Sequence, residues 1–178
     1  MLYDQAQLLN VYVEAWQITG EQEFRATAKS IAEYVLKELT HPEGGFLSAQ
    51  DAQSEGKEGK YWCWTQKELK ALLSEAELAV AQKYFGITSS GNFIDHSDPE
   101  PLKDQNVLFL ALGSKGLDPR EQDALSSAVA KMKAARARRV PPATDDKILA
   151  SWNGLMIAAM ARAGRILGET RYLDAAGK

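Results

Sequence analysis

Polar and apolar positions divide the chain into helical stripes separated by short breaks. From Tyr3 to Ile18 the apolar residues Tyr3, Ala6, Leu8, Leu9, Val11, Tyr12, Val13, Ala15, Trp16 and Ile18 wrap nearly the whole circumference of a helix, the pattern of an element buried on most sides. Thr19-Gly20 breaks it, and from Glu21 the residues Phe24, Ala28, Ile31, Ala32, Val35, Leu36 and Leu39 form a single stripe with charged residues opposite. The second helix is therefore amphipathic, and the pair reads as an inner and an outer helix joined by a tight turn. His41-Pro-Glu-Gly-Gly45 is a strong stop. Strand-like residues at Phe46–Ala49 and Lys60–Trp64 flank the polar stretch Gln50–Gly59, which predicts a β-hairpin insertion over about residues 45–64.

Thr65-Gln-Lys-Glu68 and Ser74-Glu-Ala-Glu77 each have the spacing of a capping box ahead of an apolar run, so two short abutting helices are expected. Residues 86–117 are rich in Gly, Pro, Ser and Asp, with one apolar cluster, Val107–Leu112, that fits a strand or a helix equally. Asp118-Pro-Arg-Glu121 opens the next helix, with Asp as cap and Pro at its first position, and Pro141-Pro142 closes it. From Asp145 a further helix is apolar on nearly every side through Leu167, a second inner helix. It overlays on the first at an offset of 148 residues, which also places Gly168-Glu169-Thr-Arg-Tyr172 on Gly20-Glu21-Gln-Glu-Phe24 and Ala176 on Ala28. A repeated hairpin with a buried inner helix is what an α/α toroid requires. Uncapped apolar patterns at both ends suggest a piece of something larger, with an apolar flank open to self-association.

Composition narrows the chemistry. The chain has 178 residues, is 45% hydrophobic and carries a formal net charge of −3, which disfavours nucleic acid or an anionic membrane as main partner. The basic run Lys131–Arg139 has no interleaved aromatic to stack on bases and reads as a solvated helix face. One cysteine, Cys63, and two histidines, His41 and His96, exclude a disulfide framework and a clustered metal site, so no metal or cofactor is expected. A lone cysteine also lacks the resolving partner that redox exchange needs. No segment has the roughly 20 apolar residues of a membrane span, and Met1-Leu-Tyr-Asp lacks a basic leader. A soluble, cytoplasmic protein is the expectation.

Several segments carry a resemblance. Met1-Leu-Tyr-Asp-Gln-Ala6, Pro42-Glu-Gly-Gly-Phe46, Ser48-Ala-Gln-Asp-Ala-Gln-Ser-Glu-Gly56, Glu58-Gly-Lys-Tyr-Trp62, Trp64-Thr65 and above all Asp145-Asp-Lys-Ile-Leu-Ala-Ser-Trp-Asn-Gly154 resemble the YyaL-type, spermatogenesis-associated thioredoxin-domain family over nearly the whole chain. The resemblance implies a mainly α fold: part of a six-hairpin α/α toroid, similar to N-acylglucosamine 2-epimerase and the six-hairpin glycosidases, with a small β-hairpin insertion. Residues 1–178 would then be a partial toroid domain, with a thioredoxin-like domain as its partner in the full-length protein. One departure is that Gln50 and Gln53 stand where the family's loop is more acidic, around Asp51.

Toroid enzymes acting on sugars place carboxylates at the mouth of the funnel and use aromatics as platforms for sugar rings. Asp145, Asp146 and Asp51 are accordingly the candidate catalytic residues, although either Asp145 or Asp146 could simply cap the following helix. Trp152, Asn153, Lys147, Tyr3, Asp4, Glu55, Trp62 and Trp64 are the candidate ligand-binding residues. Tyr3 and Asp4 enter because the repeat aligns them with Ser151 and Trp152. Cys63 reads as a buried thiol. The functional expectation is a carbohydrate-like small-molecule ligand, bound or processed by isomerase- or glycosidase-like chemistry. The alternative is a non-catalytic helical platform for a redox domain.

Overall fold

The computed structural model describes residues 1–111 and 116–178, divided into two compact units. Seven helices are found among the described residues, with two two-stranded sheets. The first unit, Met1–Asp51 with Thr144–Lys178, contains α1 (Leu2–Thr19), α2 (Gln22–Glu38), β1 (Ala49–Gln50), β4 (Thr144–Asp145), α6 (Ala150–Leu167) and α7 (Thr170–Gly177).

The offset of 148 residues read from the sequence holds to the residue: α1 and α6 are both 18 residues long, and α2 and α7 begin at matching positions. Gly20 and Gly168 end the two inner helices at φ 72° and 74°, the left-handed conformation that glycine adopts without cost. Tyr3 meets Trp152 near the start of both inner helices and the Arg162 guanidinium reaches Glu14 further along, so α1 and α6 run parallel. Their facing residues, with Ala28, Ala32 and Val35 of α2, form one core that includes Met156, Met160 and Tyr172. Small side chains at Ala6, Ala28, Ala32, Ala159 and Ala163 let the backbones approach. Tyr172 is fully buried and donates its hydroxyl to Glu33 at 2.7 Å. Burial first, then Glu33, raises that hydroxyl well above the usual phenol range.

The inner helices are not buried all round. On α1, Leu2, Ala6, Leu9 and Val13 are buried, while Leu8, Val11 and Ile18 form an opposite stripe that is 45%, 60% and 78% exposed. Leu155 and Ile157 of α6 are also exposed. Apolar composition around a helix reports a capacity for burial; the neighbours decide which faces use it.

The second unit, Ala52–Ala143, contains β2 (Gln53–Ser54), β3 (Lys57–Glu58), α3 (Gln66–Leu72), α4 (Glu75–Phe85) and α5 (Pro119–Arg136). Its core joins Trp64, Leu69, Leu73, Ala81 and Ile87 to Ala128 and Met132 of α5. The capping boxes at Thr65/Glu68, Ser74/Glu77 and Asp118/Glu121 all form reciprocally, as their spacing predicts.

Three expectations are corrected. Phe46–Ala49 does not pair with Lys60–Trp64; the hairpin lies inside the polar stretch, β2 against β3, and β1 instead pairs antiparallel with β4, Ala49 opposite Asp145. Glu55-Gly56, both at positive φ, make the tight turn within the stretch expected as a long loop. Residues 107–111 of the apolar cluster form neither strand nor helix, and Leu112 lies outside the described residues. The second inner helix starts at Ala150 with Leu149 at its cap position, so Asp145 sits in β4 and neither it nor Asp146 caps the helix.

Glu77 has a second task beyond capping. It is 6% exposed, accepts a hydrogen bond from Ser127 at 2.6 Å and pairs with Lys131 at 2.7 Å, tying α4 to α5. These partners, Lys131 foremost, pull its carboxyl down to about 2. The folded value is depressed, so the resulting stability is complete above the ordinary value of 4.5 and is lost as pH falls from there towards 2. Urea midpoints measured from about pH 2 to about pH 6 should fall on acidification less steeply in Glu77→Gln than in the wild type. Equal slopes would show that the carboxylate is not the linked group.

Candidate functional site

The segments carrying the sequence motifs converge, in the first unit, on the starts of the two inner helices. Two clasps hold them. Asn153, 7% exposed, accepts from the Phe46 N–H at 2.8 Å and donates to the Phe46 carbonyl at 2.9 Å, with a further bond to the Leu149 carbonyl. Its side-chain amide thus acts as one rung of a sheet. Ser48, 2% exposed, is the other clasp: its N–H and hydroxyl both donate to the Asp145 carbonyl, at 3.2 and 3.1 Å, and its own carbonyl accepts from the Leu2 N–H at 2.8 Å. The start of α1 and the strand preceding α6 are thereby pinned to one residue.

Around these clasps the site residues take distinct places. Asp145 is clamped by Lys147, whose ammonium lies 2.9 Å from each carboxylate oxygen and whose N–H also donates to it. This bonding, the lysine side chain first, holds the Asp145 carboxyl below its usual range and raises the Lys147 ammonium. Both are solvent-facing, with 42% and 69% of their side chains exposed, so the pair organises charge and adds little stability. Asp146 is exposed beside it. Trp152 and Tyr3 pack edge to face with centroids 4.9 Å apart, an aromatic corner between the two helices. Asp4 is partly exposed one residue further along α1. Nearby in the fold of β1, the Tyr34 hydroxyl donates to Gln50 at 2.8 Å. Asp51 is the exposed last residue of this segment of the unit.

Glu55, Trp62 and Trp64 belong to the second unit. Trp64 is 3% exposed in the core and Trp62 is 40% exposed. Glu55, in the left-handed region at φ 54°, pairs with Lys60 at 2.8 Å. Cys63 is buried, as expected, and burial raises its thiol. Among the described residues no three His, Cys, Asp or Glu side chains converge as a metal site would require, and no helix is long and apolar enough to cross a membrane.

Ser48, Asn106 and Arg139 were invisible as organisers in the sequence. Asn106, fully buried, bonds the Trp64 and Thr88 backbones through its amide. Arg139 leaves the expected solvated run: one guanidinium nitrogen donates to the carbonyls of Lys60, Tyr61 and Cys63, and its guanidinium carbon lies 3.9 Å from the Trp64 ring centroid. The signal was its position past the helix end, three residues beyond Arg136, where a side chain is free to turn inward.

The architecture so far defines a mainly helical protein built on a repeated helical hairpin, with a helical insertion between its two copies. Human spermatogenesis-associated protein 20 is 39% identical over 98% of the chain, and the mouse and rat proteins of that name are 38% and 36% identical over 97% and 99%. Over nearly its whole length the chain is similar to these spermatogenesis-associated proteins. The chain spans about a quarter of the length of these curated relatives. No protein-family model matches it.

Removing the Asn153 clasp tests its structural weight. Asn153→Ala leaves the donor and acceptor of Phe46, itself 1% exposed, without partners and should cost about 2–4 kcal/mol. Chemical denaturation should show the shift, with Asn153→Asp losing at least as much, because a buried carboxylate would face the Phe46 and Leu149 carbonyls. An unchanged midpoint for the alanine variant would mean that the pairing contributes nothing.

Proposed function

We propose that the chain is part of an α/α toroid and binds a neutral, carbohydrate-like ligand at the starts of its inner helices. The observation that carries this reading is the parallel pairing of two equal inner helices at the repeat offset, with the Tyr3–Trp152 corner and the Asp145–Lys147 pair at the same end. A sugar presents hydroxyls to carboxylates and a C–H face to aromatic rings, and this end offers both. Asp145, kept ionised by Lys147, suits a general base or a stabiliser of developing positive charge; Asp146 and Asp51 are the further carboxyls offered for proton transfer. In the longer relatives, a thioredoxin-like domain would be the neighbour of this toroid, and isomerase- or glycosidase-like turnover would need the whole ring.

Saturation-transfer NMR and tryptophan fluorescence with glucose, N-acetylglucosamine and N-acetylmannosamine test the reading on the chain itself. At least one sugar should bind saturably, and Asp145→Asn and Trp152→Ala should each weaken it by about ten-fold or more, the weight of one charge-assisted hydrogen bond or one stacking face. Failure of all three sugars to saturate, or equal affinity in both variants, overturns it.

A second reading, a non-catalytic interaction platform, is favoured by one observation, the exposed stripe Leu8, Val11 and Ile18 on α1. It is supported if sedimentation velocity shows concentration-dependent association that Val11→Glu abolishes, and rejected if the chain stays monomeric throughout.

A further inference from the structure

The second unit contains a cleft of about 420 Å³ that the sugar reading does not use. Its volume lies within the range of about 300–1,000 Å³ typical of small-molecule sites. Its charged wall consists of Lys60, Arg138 and Arg139 against Glu55 and Glu68. Two of the three cations are already committed. Lys60 pairs with Glu55 at 2.8 Å, and that carboxylate is delivered by a residue held at φ 54° in the β2–β3 turn, a conformation uncommon for a side chain of this kind. Arg139 is consumed by three carbonyls, by Glu68 at 3.1 Å and by the face of Trp64.

Arg138 is different. Among the described residues no carboxylate lies within ion-pair distance of it, and its side chain's one hydrogen bond is a long one of 3.4 Å from Nε to the Ala134 carbonyl. The terminal nitrogens of its guanidinium, the fork that matches an oxyanion, are uncommitted. Tyr61 lines the same wall, and its hydroxyl makes no hydrogen bond among the described residues. The cleft therefore holds a local surplus of one positive charge in a chain whose net charge is −3. A surplus that opposes the charge of the whole protein selects anions at that place and nowhere general.

We infer that this cleft binds a small oxyanion-bearing molecule of monosaccharide size, its carboxylate or phosphate held by Arg138 and the Tyr61 hydroxyl. Lys60 and Arg139 act as positioning residues: Arg139 fixes the carbonyls of the turn that carries Tyr61, and Lys60 holds Glu55 away from the incoming anion. The site lies in a different unit from the sugar site, so either can fail without the other.

Titration of the isotope-labelled chain with glucuronate, glucose 6-phosphate, inorganic phosphate and glucose, followed by amide and side-chain NMR shifts, tests this. The expected result is saturation by glucuronate, by glucose 6-phosphate or by both, with shifts confined to Tyr61, Arg138 and their neighbours and no saturation by glucose; which charged sugar binds tells carboxylate from phosphate. Arg138→Gln, at an exposed position, should weaken binding by about ten-fold or more, the loss of a bidentate charged contact, while Arg120→Gln on α5 leaves it unchanged. The inference is overturned by any of four results. They are no saturation by either charged sugar at about 10 mM, glucose or inorganic phosphate binding as well as the charged sugar that saturates, shifts lying away from Tyr61 and Arg138, or equal affinity in Arg138→Gln.

Discussion

The first unit depends on a single buried amide. Asn153 must satisfy itself inside a core, and the partner it finds is the backbone of Phe46, more than one hundred residues earlier in the chain. That pairing brings the exit from α2 against the entry to α6, and Ser48, two residues on, then reaches Asp145 and Leu2. Remove the amide and the starts of both inner helices lose their common anchor. A polar group that is costly to bury becomes, once both its donor and acceptor are used, a device that specifies one arrangement.

Much of the helical skeleton was legible. Capping spacing at Thr65, Ser74 and Asp118 is a local signal with a local cause, and the repeat of 148 residues survives because Gly20 and Gly168 are each required by a left-handed turn. What sequence could not reveal was partner choice. The strand pair β1–β4 joins residues nearly one hundred apart and is only two residues long on each side, too short to leave a periodic trace. The burial of α1 was over-read for a related reason: Leu8 and Val11 look like core residues, but only a neighbour can bury them.

The candidate site divides along the same line. Its residue types at the start of α6 were readable from the Asp145–Gly154 motif, whereas their division of labour was not. Asn153 turned out to be committed to backbone, and Asp145, one of the two presumed helix caps, to a strand and to Lys147. In the second unit the informative residue was Arg139, whose charge is spent on the carbonyls of a turn, on Glu68 and on the face of Trp64, and so leaves its neighbour Arg138 as the cation with chemistry to spare.

The β1–β4 pair has one more consequence. It is the neck through which the whole segment Ala52–Ala143 is spliced into the first unit, with Gln50 opposite Thr144 immediately outside it. Were that segment unfolded, pairing its flanks would carry the entropy of closing a long loop, a cost that grows by about 0.6 kcal/mol for each doubling of loop length. Folding of the insertion draws its two ends together and removes most of that cost beforehand. Part of the stability of one unit is thus passed to the other through the covalent chain, so a lesion deep in the insertion also loosens the neck.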